Sequence, residues 1–186
     1  MSRLDSHIHQ KIAQRDSINF AARWLAGEEG VIVEFGLATG RSYSHLAERF
    51  PGREIFCFDR MNKTHPRSRP PADHLYLGEF AHLVWDPALH ARFTSRVVLA
   101  HLDVGSGGPE DDELPKLIME RIHGWLKPRA LVLSDLDLTL EPAWQLERID
   151  TTGHVEHADR YYVYQRGATS SRPAGDRLIS GPAWPR

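Results

Sequence analysis

The residues that invite chemistry lie between Val31 and Arg60, in "VIVEFGLATGRSYSHLAERFPGREIFCFDR". An acid, Glu34, precedes Gly36 and Gly40; a helix-like stretch follows, and a second acid, Asp59, closes the segment. Glycine permits backbone angles that other residues avoid and lets a ligand approach the chain closely, while the start of a helix offers unpaired N–H groups. A carboxylate about 20 residues further on, at the end of the next strand, suits the hydroxyls of a ribose. Together these features predict a pocket for a ligand containing a nucleoside. The plainer alternative is a tight turn followed by a solvated strand-end acid.

Two more acids follow the same logic. Asp103 and Asp135 close the apolar runs "RVVLAHLDV" and "ALVLSDLDL", so both are expected at the carboxyl ends of neighbouring strands, facing one crevice. His101 stands two residues before Asp103, on the same face of its strand. It is a candidate general base or, equally, a core histidine satisfied by a backbone group. Cys57, the single cysteine, lies within an apolar run and reads as a core residue, with no disulfide or cysteine metal site available within one chain.

Positioning these residues requires alternating strands and helices. Leu4, Ile8 and Ile12 recur at helical spacing and Ile18 to Leu25 extend the pattern, which predicts one or two helices before Gly27 and Gly30. "VIVEF", "REIFCF", "HLYLG", "RVVLAHLDV" and "ALVLSDLDL" read as five strands. Helices are expected over "SYSHLAERF", over "EFAHLVWDPALHARF" with a break near Pro87, and over "LPKLIMERIHGWL". "AWQLERI" reads as a further helix, and "RYYVYQR" as a late antiparallel strand at the sheet edge. The prediction is an α/β fold with a doubly wound, mostly parallel sheet. Residues 1–30 form a helical extension, 31–166 the ligand-binding domain, and 167–186 an irregular tail whose Leu178, Ile179 and Trp184 are free to dock on the body or on a second subunit. A homo-oligomer is therefore allowed.

Composition narrows the partners. The chain has 186 residues, 41% of them hydrophobic and 26% charged, with a formal net charge of -2, which suits one globular domain. No basic footprint points to nucleic acid, and no apolar run reaches membrane-spanning length, so a cytoplasmic protein with a small-molecule substrate is expected.

The dinucleotide fingerprint wants glycine where Ala38 and Arg41 stand. The spacing of Glu34, Gly36 and Gly40 instead resembles the first motif of class I S-adenosylmethionine-dependent methyltransferases, including a group of small bacterial members of unassigned substrate. The resemblance runs from about Glu28 to Leu138. It implies a Rossmann-like methyltransferase fold, S-adenosylmethionine as cofactor and S-adenosylhomocysteine as product. It further implies cofactor contacts from Glu34, Gly36, Leu37, Ala38 and Gly40, from the ribose acid Asp59 with Arg60, from Glu79 and Phe80 at the adenine, and from Asp103. Asp103, Asp135 and His101 become the catalytic candidates. Ala38 and Arg129 depart from the family pattern, each standing where members carry glycine. The paired acids are also similar to those of metal-dependent catechol-type O-methyltransferases, but Leu136 occupies the place of their amide ligand, so no metal is expected. Two alternatives stand beside the methyltransferase: an NAD(P)-type oxidoreductase of the same fold, and a noncatalytic S-adenosylmethionine-binding module.

Overall fold

A computed structural model of the chain describes residues 1–108 and 113–168. Strands β1 (Val31–Phe35), β2 (Ile55–Asp59), β3 (Leu75–Leu77), β4 (Val97–Leu102), β5 (Leu126–Ser134), β6 (Leu146–Arg148) and β7 (Tyr162–Arg166) form one seven-stranded sheet in the order β3-β2-β1-β4-β5-β7-β6. The first five run parallel, and β7 is antiparallel to both β5 and β6. Helices α1 (Arg3–Trp24) and α2 (Arg41–Arg49) cover one face; α3 (Phe80–Trp85), α4 (Pro87–Phe93) and α5 (Glu113–Ile122) cover the other.

Central strands buried on both faces need apolar residues at every position, and β1 has them at all but one. Val31, Val33 and Phe35 join Phe58, Phe93 and Trp125 beneath α3 to α5. Ile32 turns the other way, towards α1 and α2, among Cys57, Leu99 and Leu133. Glu34 shares that second face, so the one acid of β1 is fully buried, at 0% exposure. The break near Pro87 is as the sequence implies: Asp86 ends α3 and caps α4, its carboxylate accepting the Ala88 N–H at 2.7 Å.

Two expectations are corrected and one is narrowed. The amino-terminal helix is a single one, whose buried residues are Ala13, Gln14, Ser17, Ile18, Phe20 and Ala21, whereas Leu4 and Ile8 stay 67% and 45% exposed. Packing of α1 on the body thus begins at its third turn, and among the described residues the apolar side chains of the first two turns stay largely uncovered. "AWQLERI" is no helix: a 3-10 turn at Pro142–Trp144 is ended by Gln145 in the left-handed region, and β6 follows. Trp144 and Leu146 are both buried, and β6 pairs antiparallel with β7, Leu146 lying opposite Arg166. β7 therefore lies inside the sheet, with β6 at its edge. Leu178, Ile179 and Trp184 lie outside the described residues.

Cys57 is buried beside Glu34, its Sγ donating to Oε2 at 3.6 Å. Burial, with the Glu34 carboxylate next, pushes the thiol far above its ordinary range. A thiol reagent at pH 8 is accordingly expected to label the folded protein only at its unfolding rate; rapid stoichiometric labelling of the native state would contradict this burial.

Candidate active site

The carboxyl ends of β1, β2, β4 and β5 meet at one edge of the sheet, where a ligand crevice forms in this architecture. Gly36 leaves β1 at φ +89° and Gly40 leads into α2 at φ +81°, angles that favour glycine. Their bare Cα atoms face protein, however, and not open space. A Cβ on Gly36 would sit 2.0 Å from the Asp103 carbonyl oxygen, and one on Gly40 would sit 2.4 Å from that of Ser68. The glycines thus let the first loop close on the loop after β4 and on the segment after β2. Ala38, at φ +44°, sits between them, and Arg129 has φ +66°. Both positions where the family pattern carries glycine are left-handed in this chain as well.

Asp59 ties that loop to β2. Its Oδ2 accepts the Ala38 N–H at 2.8 Å and its Oδ1 accepts the Met61 N–H at 3.2 Å. A carboxylate offers about four acceptor positions, so about two remain for ribose hydroxyls. Arg60 follows, exposed. Across the crevice Glu79 is exposed at the N-cap of α3, while Phe80 is buried with its ring 5.9 Å from that of Phe35, edge-on. The Glu79 carbonyl accepts the His82 N–H at 2.9 Å and the Leu83 N–H at 3.1 Å, which closes the first turn of α3. Leu37 is buried in the core beneath α1 and α2, leaving only its backbone for a ligand.

His101 and Asp103 share a face, as alternation predicts, and both meet Gln14 of α1. Asp103 Oδ2 accepts Gln14 Nε2 at 2.8 Å and Lys11 Nζ at 3.3 Å. His101 is fully buried, with Nε2 2.7 Å from the Tyr161 hydroxyl and Nδ1 3.4 Å from Glu34 Oε1. This last approach lacks hydrogen-bond geometry, and both atoms are buried without another partner. Asp135 turns towards the β4 loop, where its oxygens accept the Val104 N–H at 3.3 Å and the Gly105 N–H at 2.8 Å. Lys11, Gln14 and Tyr161 were not marked by the sequence. The one usable signal was a polar residue, Gln14, in a face of small residues on α1.

Burial, reinforced by the nearby Asp103 carboxylate, raises the Asp135 pKa from 3.8 to about 6 despite two amide bonds that oppose the shift. The folded state then holds this proton more tightly than the unfolded chain. The resulting stability is present below about pH 4, is lost as pH rises through 6, and is constant above. Measured against Asp135→Asn, the wild-type protein is expected to lose about 3 kcal/mol of stability across that window. A difference that stays flat with pH would return Asp135 to an ordinary carboxyl.

Among the described residues no three metal-ligating side chains come together, and no helix is long and apolar enough to cross a membrane. A cavity of about 440 Å³ opens at the same end of the sheet, between β7 and the 149–161 connection, lined by Arg148, Asp150, Thr151, Asp159, Tyr161 and Tyr162 among others.

A glycine loop after the central strand, an acid at the end of the next, and a parallel sheet closed by an antiparallel β7 define a Rossmann-like cofactor-binding protein. The chain belongs to the S-adenosyl-L-methionine methyltransferase family, whose sequence profile matches residues 1–166. It is similar to the S-adenosyl-L-methionine methyl transferase of Silicibacter pomeroyi, with 33% identity over 90% of this chain and 99% of that one, and a TM-score of 0.81. Two more distant structures share the fold. The O-methyltransferase TomG of Streptomyces achromogenes, solved with S-adenosylmethionine, is 14% identical over 83% of this chain and 80% of its own, with TM-score 0.50. The [4+2]-cyclase SpnF is 10% identical over 83% and 81%, with TM-score 0.50. No curated protein sequence matches the chain. The protein is an S-adenosylmethionine-dependent methyltransferase.

Proposed function

We propose that this methyltransferase acts on a small-molecule acceptor, with the cofactor laid along the carboxyl ends of β1, β2 and β4. Asp59 carries the reading: its carboxylate braces the first loop while keeping acceptor capacity for a ribose. Arg60, Glu79 and Phe80 flank the adenosine end. Gly36, Leu37, Ala38 and Gly40 supply the backbone floor, and Glu34 supports that floor from beneath. Asp103 Oδ2 is engaged by α1, whereas no hydrogen bond to Oδ1 forms among the described residues, which leaves it to receive the cofactor's amino group or the acceptor.

S-adenosylmethionine supplies an electrophilic methyl group on a sulfonium. The chain's own part is to align the acceptor, exclude water and, where the acceptor must lose a proton, receive it. Asp135, poised near neutrality, suits the last task. His101, fully buried and held at Nε2 by Tyr161, acts through its partners and does not touch an acceptor. Both Asp135 oxygens already accept amide N–H groups, which favours a reaction without a metal on that acid. The cavity beside Tyr161 is within the range usual for small-molecule sites, about 300 to 1,000 Å³, and is the acceptor pocket in this reading. A cytoplasmic protein with residues 31–166 as its catalytic body and 1–30 as a helical cover agrees with it.

Calorimetric titration with S-adenosylmethionine, S-adenosylhomocysteine and NAD tests the cofactor site. Micromolar binding of the first two with NAD silent is expected. Silence of all three would remove Asp59 and its loop from any nucleoside site.

A further inference from the structure

Between α1 and the sheet runs a chain of buried polar side chains that methyl transfer does not itself use. It begins at Glu34, passes through His101 and Tyr161, and ends at Gln14, which touches Asp103. Gln14 is only 6% exposed, and Glu34, His101 and Tyr161 are fully buried.

The hydrogen-bond inventory fixes how each group is turned. Tyr161 is held as a neutral phenol, because burial and then the Asp103 charge push it well above its usual range. Its hydroxyl lies 2.7 Å from His101 Nε2 and 3.5 Å from the Leu102 carbonyl, and the phenol is assigned as donor to the imidazole, the nearer of the two acceptors. Nε2 is then an acceptor, and the ring proton sits on Nδ1, facing the Glu34 carboxylate 3.4 Å away. The phenol oxygen, having given its proton to Nε2, accepts from Gln14 Nε2 at 3.3 Å. The other N–H of that amide goes to Asp103 Oδ2 at 2.8 Å, and Gln14 Oε1 accepts Lys11 Nζ at 2.9 Å. An amide rotated by 180° would aim its oxygen at a carboxylate and its nitrogen at an ammonium. One orientation therefore survives.

An apolar side chain would hold α1 to the sheet without the cost of desolvating an amide. The amide at this position instead meets Asp103, the acid assigned above to the ligand. We infer that Gln14 is the positioning residue for Asp103, oriented from behind by Tyr161 and His101, so that the seating of α1 and ligand binding at Asp103 are one coupled event. The inference rests on the cofactor-site reading of Asp103.

A double-mutant cycle read by S-adenosylhomocysteine affinity tests it, with wild type, Gln14→Leu, Asp103→Asn and the double variant titrated by calorimetry and checked by thermal melting. Gln14→Leu is expected to weaken binding about tenfold, equivalent to about 1.4 kcal/mol, and to have less than a twofold effect once Asp103 is asparagine. Tyr161→Phe keeps the ring and removes only the hydroxyl. It is expected to weaken binding about threefold with the same dependence on Asp103, and it carries the test if Gln14→Leu does not fold. Equal losses in both backgrounds, or a lowered melting temperature with unchanged affinity, would reduce Gln14 to a packing residue and overturn the inference. Failure of the wild-type protein to bind would instead overturn the cofactor-site reading beneath it.

Discussion

Asp59→Ala is expected to weaken S-adenosylhomocysteine binding by about 100-fold or more while leaving the fold intact. Two hydrogen bonds from ribose hydroxyls to a carboxylate are each worth about 1.5 to 3 kcal/mol, and the substitution removes both. It also frees the Ala38 N–H that Oδ2 holds at 2.8 Å. Ala38 has positive φ, an arrangement alanine does not favour, so the first loop loses the bond that keeps it there. Both losses act on affinity, and only the second reaches stability. Asp59→Asn keeps one acceptor oxygen and should fall between. Titration calorimetry beside a thermal melt separates the two contributions, and a folded Asp59→Ala protein with wild-type affinity would place the ribose elsewhere.

Gly36→Ala carries the largest expected effect on stability. A methyl group 2.0 Å from the Asp103 carbonyl oxygen cannot be absorbed by a side-chain rotation, because the obstacle is backbone. Overpacking of this kind costs about 1 to 3 kcal/mol, and the φ of +89° adds strain of the same order. A total near 4 kcal/mol corresponds to a fall of about 8 to 16 °C in melting temperature for a chain of this size. A melting temperature within a few degrees of wild type would mean that the first loop and the β4 loop are not held in this contact. Gly52, by comparison, has nothing within 4 Å of its would-be Cβ, so Gly52→Ala tests backbone conformation without the clash.

The parts of the fold legible in the sequence are those whose cause is local. The apolar runs at Val31, Ile55, Val97 and Ala130 become β1, β2, β4 and β5 because a strand buried on both faces must be apolar throughout, and no other pattern competes. Asp59, Asp103 and Asp135 were legible as strand-end acids for the same reason. The stretch after Pro142 was misread because Leu, Glu and Arg form helices readily and three residues carry no strand pattern of their own; pairing of Leu146 with Arg166 decides it, and that partner lies further along the chain. The spacing of Leu4 and Ile8 marked the helix but not its buried face: periodicity shows that a helix has a face but not that anything lies against it. Gln14 and Tyr161 were invisible for the strongest version of this reason. They meet across a separation of 147 residues, and neither has a local feature that announces the other. The purpose of the two glycines was half legible: the need for unusual backbone angles was read correctly, but what they approach is the protein's own backbone.

The Gln14 to Tyr161 contact also sets a timetable for the newborn chain. At ribosomal rates of about 5 to 20 residues per second, Tyr161 is made about 7 to 30 s after Gln14, long after α1 could have coiled. Until β7 is synthesised, Asp103 has α1 beside it with nothing behind to aim the amide, and β5 lacks its antiparallel neighbour. On the coupling inferred above, full cofactor affinity waits for Tyr161, so a ribosome-bound fragment ending before that residue would carry every signature residue of the family and still lack the phenol that turns Gln14 towards Asp103.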